Sequence, residues 1–409
     1  MLSQRVLTSY IFIYFFLTGI TWVYGEVGQG ILGRIALSDL FAIPIVSIFI
    51  YSSLRINSFV LPEVHRAIMP LFLFFIASSP FALEPDRAIF ESIVHLFSFV
   101  VSLSLFNLVI NRTDFNVKSL FNAYIDAVGL IALLGLLSFF IFPNLFSNES
   151  MGGLSGTFRN TGQAGSFFGL SLAIIVPGYF SGIINKTPRN LFFTLLIFFA
   201  LVFTFKRAAY IGFGLGLFIV LFQMLLSNRA KDKAFAVVIL IVSLISLVVL
   251  TAIYSWGVEH IDGLRWRVES KLTSDGVDHF VDNFFSDNLI GAINAFIDHP
   301  VFGVGLGSVV GNYTEKYEVH STYFALLATS GIVGVLLYIY FVVSFFYTLV
   351  MSASFKSQFN QYIYYFIPFL TSLFISWGYT YHLRKREFWI LIFFISVILY
   401  LSKVRNKNA

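Results

Sequence analysis

The chain has 409 residues, 58% of them hydrophobic and 11% charged, with 51 phenylalanines, no cysteine and a net charge of +5. Roughly a quarter of an average globular chain is charged, so a soluble domain, which could not hide this much apolar surface, is excluded. The missing cysteines exclude disulfides, thiolate metal sites and cysteine nucleophiles, and +5 is the balance of a membrane protein with basic inner loops, no argument for nucleic-acid binding.

Apolar runs of about 20 residues, the length that crosses a ~30 Å hydrocarbon core, recur along the whole chain, and the alternation of an outer-membrane barrel is absent. The expected fold class is an all-α polytopic membrane protein. Twelve transmembrane segments are expected, near 7–24, 36–54, 67–83, 88–110, 120–142, 163–184, 190–205, 208–227, 234–254, 321–350, 359–378 and 387–402. The first lacks a small-residue cleavage motif and reads as a membrane helix rather than a signal peptide. With the N-terminus inside, Arg55, Arg66, Arg112, Lys118, Lys186, Arg189, Arg229, Lys231, Lys233, Lys356 and the tail (Lys403, Arg405, Lys407) fall on the inner side, as the positive-inside rule requires. Arg159, Lys206, Arg207, Arg384, Lys385 and Arg386 break that rule. Each is either a local error in the segment count or a charge kept outside for a purpose.

Residues 1–409 read as one transmembrane domain, with one large extracytoplasmic loop, 255–319, between the ninth and tenth segments. It holds ten acidic and four basic residues, a net charge of −6. Leu289, Ile290, Ile293, Phe296 and Ile297 fit a short helix lying on or dipping into the membrane surface, and a loop this long is expected to be functional. Repeated halves of the transporter kind are not seen. Asp275, Asp278 and Asp282 share a helical spacing, but a solvated acidic face is the plainer reading, so no metal site is expected. Glu91 and His95 lie four apart inside an apolar segment, and an interhelical hydrogen-bond lock is preferred there over a proton relay. His260, His279 and His299 are expected to be structural or solvated.

The most informative stretch begins at Asp298: DHPVFGVGLGS, a polar interval, then His320-Ser321-Thr322-Tyr323-Phe324 and SGIVGVLL. Pro300 and the glycines 303, 305, 307 and 311 form a tight turn. His320 stands where a polar loop meets an apolar helix, and histidine titrates near neutral pH, so it suits a general base at a water–membrane boundary. Its plainer reading is a solvated cap. This stretch resembles the signature region of the O-antigen ligase/polymerase family, membrane glycosyltransferases that use polyprenyl-diphosphate-linked glycans on the outer face of the bacterial inner membrane. GTFRNTGQAG, from Gly156, is similar to the family's GTF-x-NPN element, and FKRAAY, from Phe205, to its SRA element. Lys206 stands where the family has serine, Thr161-Gly162 replaces Pro-Asn, and a family arginine before the glycine turn is missing.

The resemblance implies a glycan donor on a polyprenyl diphosphate, a glycan or lipid A-core acceptor, a membrane-lipid setting, no cofactor, and room for a chain-length regulator as partner. His320 would take the proton from the acceptor hydroxyl. Cations would steady the departing diphosphate, for which the guanidinium fork is suited: Arg207 first, with Lys206, Arg159, Arg265 and Arg267. Their plainer readings are interfacial anchors or solvated charges. The reaction is expected to be metal-independent and to invert the anomeric centre, with a polymerase slightly favoured over a ligase because the −6 loop would repel a phosphorylated core. The rival reading is a secondary transporter or lipid-linked glycan flippase, to which Glu91 and His95 would be central; a non-catalytic scaffold ranks last.

Overall fold

The structure, a computed structural model, describes residues 4–21, 36–56, 59–112, 115–142, 153–227, 289–314 and 319–407, with a few residues between 233 and 255. Most of the expected ninth segment and of the large loop, including Arg265, Arg267 and the Asp275 to Asp282 face, lies outside the described residues.

The described residues form helices α1 Gln4–Thr18, α2 Leu37–Ile56, α3 Glu63–Ser78, α4 Pro85–Ile110, α5 Val117–Phe140, α6 Thr161–Phe180, α7 Pro188–Phe203, α8 Arg207–Leu226, α9 Ile290–Asp298, α10 Thr322–Ser352, α11 Gln358–Ser376 and α12 Arg386–Lys407. Eight are long and apolar enough to cross a membrane: α2, α3, α4, α5, α6, α8, α10 and α12. The chain is a multi-pass, all-helical membrane protein among its described residues. Helix starts follow local chemistry. Asn160 caps α6 by accepting from the Gln163 N–H at 2.9 Å, and Thr187 caps α7, with Pro188 in the first turn, where its missing N–H costs nothing. Residues 290–298 form the short helix expected inside the loop, with Ile290, Ile293 and Ile297 on its exposed side.

α12 is the central helix. Its residues from Phe388 to Leu399 are all buried, and it packs against α4, α6 and α11. A helix that is apolar all round belongs inside a bundle. Two charged ties hold its first turns: Arg386 Nε donates to Asp39 Oδ1 of α2 at 2.7 Å while Nη2 pairs with Oδ2, and Arg384 reaches Glu91 of α4 at 3.4 Å. His95 Nδ1 donates to the Glu91 carbonyl at 2.7 Å, which leaves Nε2 to accept from the Tyr381 hydroxyl at 3.0 Å. Glu91 and His95 thus tie α4 to the segment that precedes α12.

α10, expected as one span over 321–350, is broken. Gly331 has φ 58° and ψ −160°, a conformation essentially restricted to glycine. A break orphans carbonyls before it and N–H groups after it, which is expensive in a membrane. The glycine-rich turn supplies the partners. Val304 N donates to Ala328 O at 2.9 Å and Gly305 N to Thr329 O at 3.0 Å, while Ile332 N donates to Pro300 O at 2.9 Å and Val333 N to Val301 O at 3.3 Å. Gly303, Gly305 and Gly307 all have positive φ. Val304, Gly305 and Leu306 are buried, so this turn is a plug in the bundle wall rather than an exposed backbone cradle.

Candidate active site

Four segments converge at one end of the bundle: the start of α6, the α7–α8 turn, the connection 377–385, and the start of α10. The α7–α8 turn has almost no length. It closes by placing Phe205 at φ 52°, a left-handed conformation that a bulky residue rarely adopts. Strain of this kind persists where surrounding structure enforces it, and here it folds Lys206 back across α6. Gly165 makes room for it: a Cβ there would lie 2.6 Å from Lys206 Cβ. Farther out, a Cβ on Gly162 would lie 3.6 Å from Lys206 Nζ. Lys206 and Gly162, two positions where the sequence departs from the pattern it resembles, therefore face each other. Arg207 follows, half-buried at the head of α8, and a π-helical stretch, Ile211–Leu215, comes directly after. Such bulges are frequent at functional sites. This one lets Gly212 and Gly216 meet Ser376 and Phe369 of α11.

The connection 377–385 contributes residues that the sequence reading did not select for the site. Lys385 Nζ donates to Ser166 Oγ of α6 at 2.8 Å and to Thr380 Oγ1 at 3.0 Å. Its charge interacts with those of Glu387, Lys206 and Arg384, and burial pushes its pKa down to about 8. His382 is buried with its ring stacked on Trp377, centroids 3.5 Å apart. Burial first, and Lys385 second, push its pKa well below the ordinary histidine value, so the ring is neutral. Thr322 Oγ1 donates to Thr380 O at 2.7 Å and lies 2.8 Å from His382 Nδ1. The hydroxyl proton being spent on Thr380, the ring carries its own on Nδ1, and Nε2 is left as an acceptor with no partner among the described residues. His382, Ser166, Ser376, Thr380, Lys385 and Glu387 line a cavity of about 20 Å³, room for about one water. The signal that could have found this cluster was present: Arg384-Lys385-Arg386 breaks the positive-inside rule.

His320 is exposed, between buried Val319 and buried Ser321. It lies two residues from Thr322, so its Cα is within about 7 Å of the Cα of Thr322, whose hydroxyl meets Thr380 and His382. Arg159 is exposed, with its backbone N–H on Thr21 Oγ1 at 3.0 Å; Thr157 Oγ1 in turn donates to Gly19 O, so the GTF element is tied to the end of α1. Pro300 and Gly303 pack on the α10 break, and Gly305 on Ala82. Gly307 packs on Arg87 and Glu91, which steadies the carboxylate that holds Arg384.

No curated protein matches the chain. Residues 192–339 match the family model described as O-antigen ligase. The match takes in most of α7, Lys206, Arg207, the glycine-rich turn, His320 and α10 from its start through the break at Gly331 to Ile339. It leaves out the start of α6 and the whole 377–386 segment. The chain is a multi-pass membrane protein whose residues 192–339 are similar to the O-antigen ligase family.

Proposed function

We propose that the chain is a glycosyltransferase that moves a glycan from a polyprenyl diphosphate onto an acceptor sugar hydroxyl, at the periplasmic or outer face of the bacterial inner membrane. His320 takes the proton from the attacking hydroxyl. Arg207 and Lys206, with Arg159, Arg265 and Arg267 as further cations, offset the negative charge that develops on the departing diphosphate. Direct displacement inverts the anomeric centre, and the step uses no metal. Polymerisation of repeat units is favoured over ligation to lipid A-core because the large loop carries a net charge of −6.

The observation that carries this reading is a single hydrogen-bonded run. Thr322, two residues after His320, holds Thr380; Thr380 holds Lys385; Lys385 holds Ser166 on the helix face that Lys206 crosses. A candidate base and a set of cations from distant parts of the chain thus share one end of the bundle. The outward orientation is supported by Lys118, Lys186, Lys356 and Lys403, which belong to the opposite end.

The test is transfer by purified protein supplied with a lipid-linked repeat unit, with and without lipid A-core, in EDTA. Polymer without core supports the polymerase; product only with core replaces it with the ligase. Full transfer in His320→Ala would remove His320 as the base; no transfer by the wild type would return the transporter reading, and loss of function confined to Glu91→Gln would strengthen it.

A further inference from the structure

Of the three consecutive cations before and at the start of α12, two are spent on carboxylates. Arg384 is held by Glu91 and Arg386 by Asp39. Lys385, between them, is held by two neutral hydroxyls, Ser166 Oγ and Thr380 Oγ1. Hydroxyls on two separate elements fix the ammonium in place, the Glu387 carboxylate offsets part of its charge, and the third N–H is left over. Lys206 crosses the same face of α6 from the other side, close enough for the two charges to repel. Like charges gathered in a half-dry site are costly, and the arrangement is relieved when an anion settles between them. The adjoining cavity takes about one water, so the anion meets Lys385 from its partly exposed side, while a water inside the cavity can accept from Lys385 and donate to the orphaned His382 Nε2.

We propose that Lys385 and Lys206 together form the seat for the donor's diphosphate, a lysine pair built on residues where this chain departs from the family pattern and on a segment outside the matched region. The proposal rests on the transferase reading for the identity of the ligand, but not for the existence of the seat. Lys385 touches the phosphate oxygens directly; Ser166 and Thr380 are positioning residues that aim it. Groups that face Lys385 are Lys206 from the α7–α8 turn, Glu387 from α12, and Arg384 and His382 from its own connection. The first and third push its proton off and Glu387 holds it on, so the seat weakens as Lys385 deprotonates, at or above pH 8.

The experiment is binding of inorganic diphosphate to the full-length protein in detergent, by calorimetry, from pH 6.5 to 9.5. Lys385→Gln and Lys206→Gln are each expected to weaken binding about ten- to a hundredfold, the value of a charge-assisted hydrogen bond. Lys385→Arg keeps its charge at every pH used, so it is expected to retain affinity and to lose the alkaline fall that wild type shows; titration of the ligand is common to both and cancels in the comparison. Undecaprenyl diphosphate is expected to compete with the inorganic anion. Unchanged affinity in Lys385→Gln overturns the seat, and so do identical pH profiles for wild type and Lys385→Arg, which serve alone if the Gln variant does not accumulate. Failure of the polyprenyl diphosphate to compete overturns the assignment to the donor. Diphosphate binding that survives in a protein unable to transfer any glycan removes the transferase reading and leaves the seat standing.

Discussion

The rings of Tyr323 and Tyr338 lie 6.2 Å apart. In a continuous helix, residues fifteen apart are separated by about 22 Å along the axis, so the two halves of α10 fold against each other about Gly331. The first half brings Thr322 to Thr380 and His382; the second crosses the bundle. The location of His320 is therefore set by a helix break, and the break is set by a glycine and the turn that fills it.

Gly331→Ala should be among the most damaging single-methyl additions in the chain. Its Cβ would sit 2.5 Å from Val301 O at a φ of 58°. Gly182→Ala is the control: φ 75°, with nothing within 4 Å. That control should lose about 1 kcal/mol, the conformational cost alone, and Gly331→Ala about 3 kcal/mol or more. Thermal melting in detergent reads the difference, and equal losses would show that the turn does not plug the break.

His320→Ala should reduce transfer by about 10²- to 10⁴-fold, the range for a lost general base, with membrane insertion kept and the melting temperature little changed, the side chain being exposed. A loss of activity accompanied by a lower melting temperature would point instead to a structural cap.

The Asp39–Arg386 pair joins α2 to the central helix with two hydrogen bonds. Asp39→Asn leaves the guanidinium without its counter-charge in a largely apolar setting and should cost about 2–3 kcal/mol, somewhat below a fully buried pair because each side chain keeps about a fifth of its exposure. A double-mutant cycle with Arg386→Met measures the coupling; a coupling near zero would make the pair decorative.

His382 is neutral in the fold, its pKa pushed well below 6.5 by burial and by Lys385. Below about pH 6.5 the unfolded chain binds a proton that the fold refuses, so stability falls with acid by up to about 1.4 kcal/mol per pH unit. Wild type should therefore lose more melting temperature between pH 6.5 and 5 than His382→Phe, which keeps the stack on Trp377. Parallel melting curves for the two proteins would refute this.

Much of the fold was legible because crossing a membrane demands long apolar helices whatever their neighbours. Segments α2 to α8, α11 and α12 fall where apolar runs predict them. The Pro300 turn and His320 were legible through their unusual residue types. The break at Gly331 was not, since glycine also serves close helix packing and only the partner at Val301 distinguishes the two. Nor were the meeting of Thr322 with His382, 60 residues away, and that of Lys385 with Ser166, 219 residues away, which form through side chains.

The sequence by itself determined that this is a multi-pass helical protein, which cations stand where the positive-inside rule forbids them, and that a histidine sits beside a glycine-rich turn. Only the tertiary structure decided which of those cations are spent. Arg384 and Arg386 meet carboxylates from α4 and α2, while Lys385 meets two hydroxyls. Composition fixes how much charge a chain carries, but whether a charge is cancelled depends on which distant side chain comes within hydrogen-bonding reach, and packing alone arranges that.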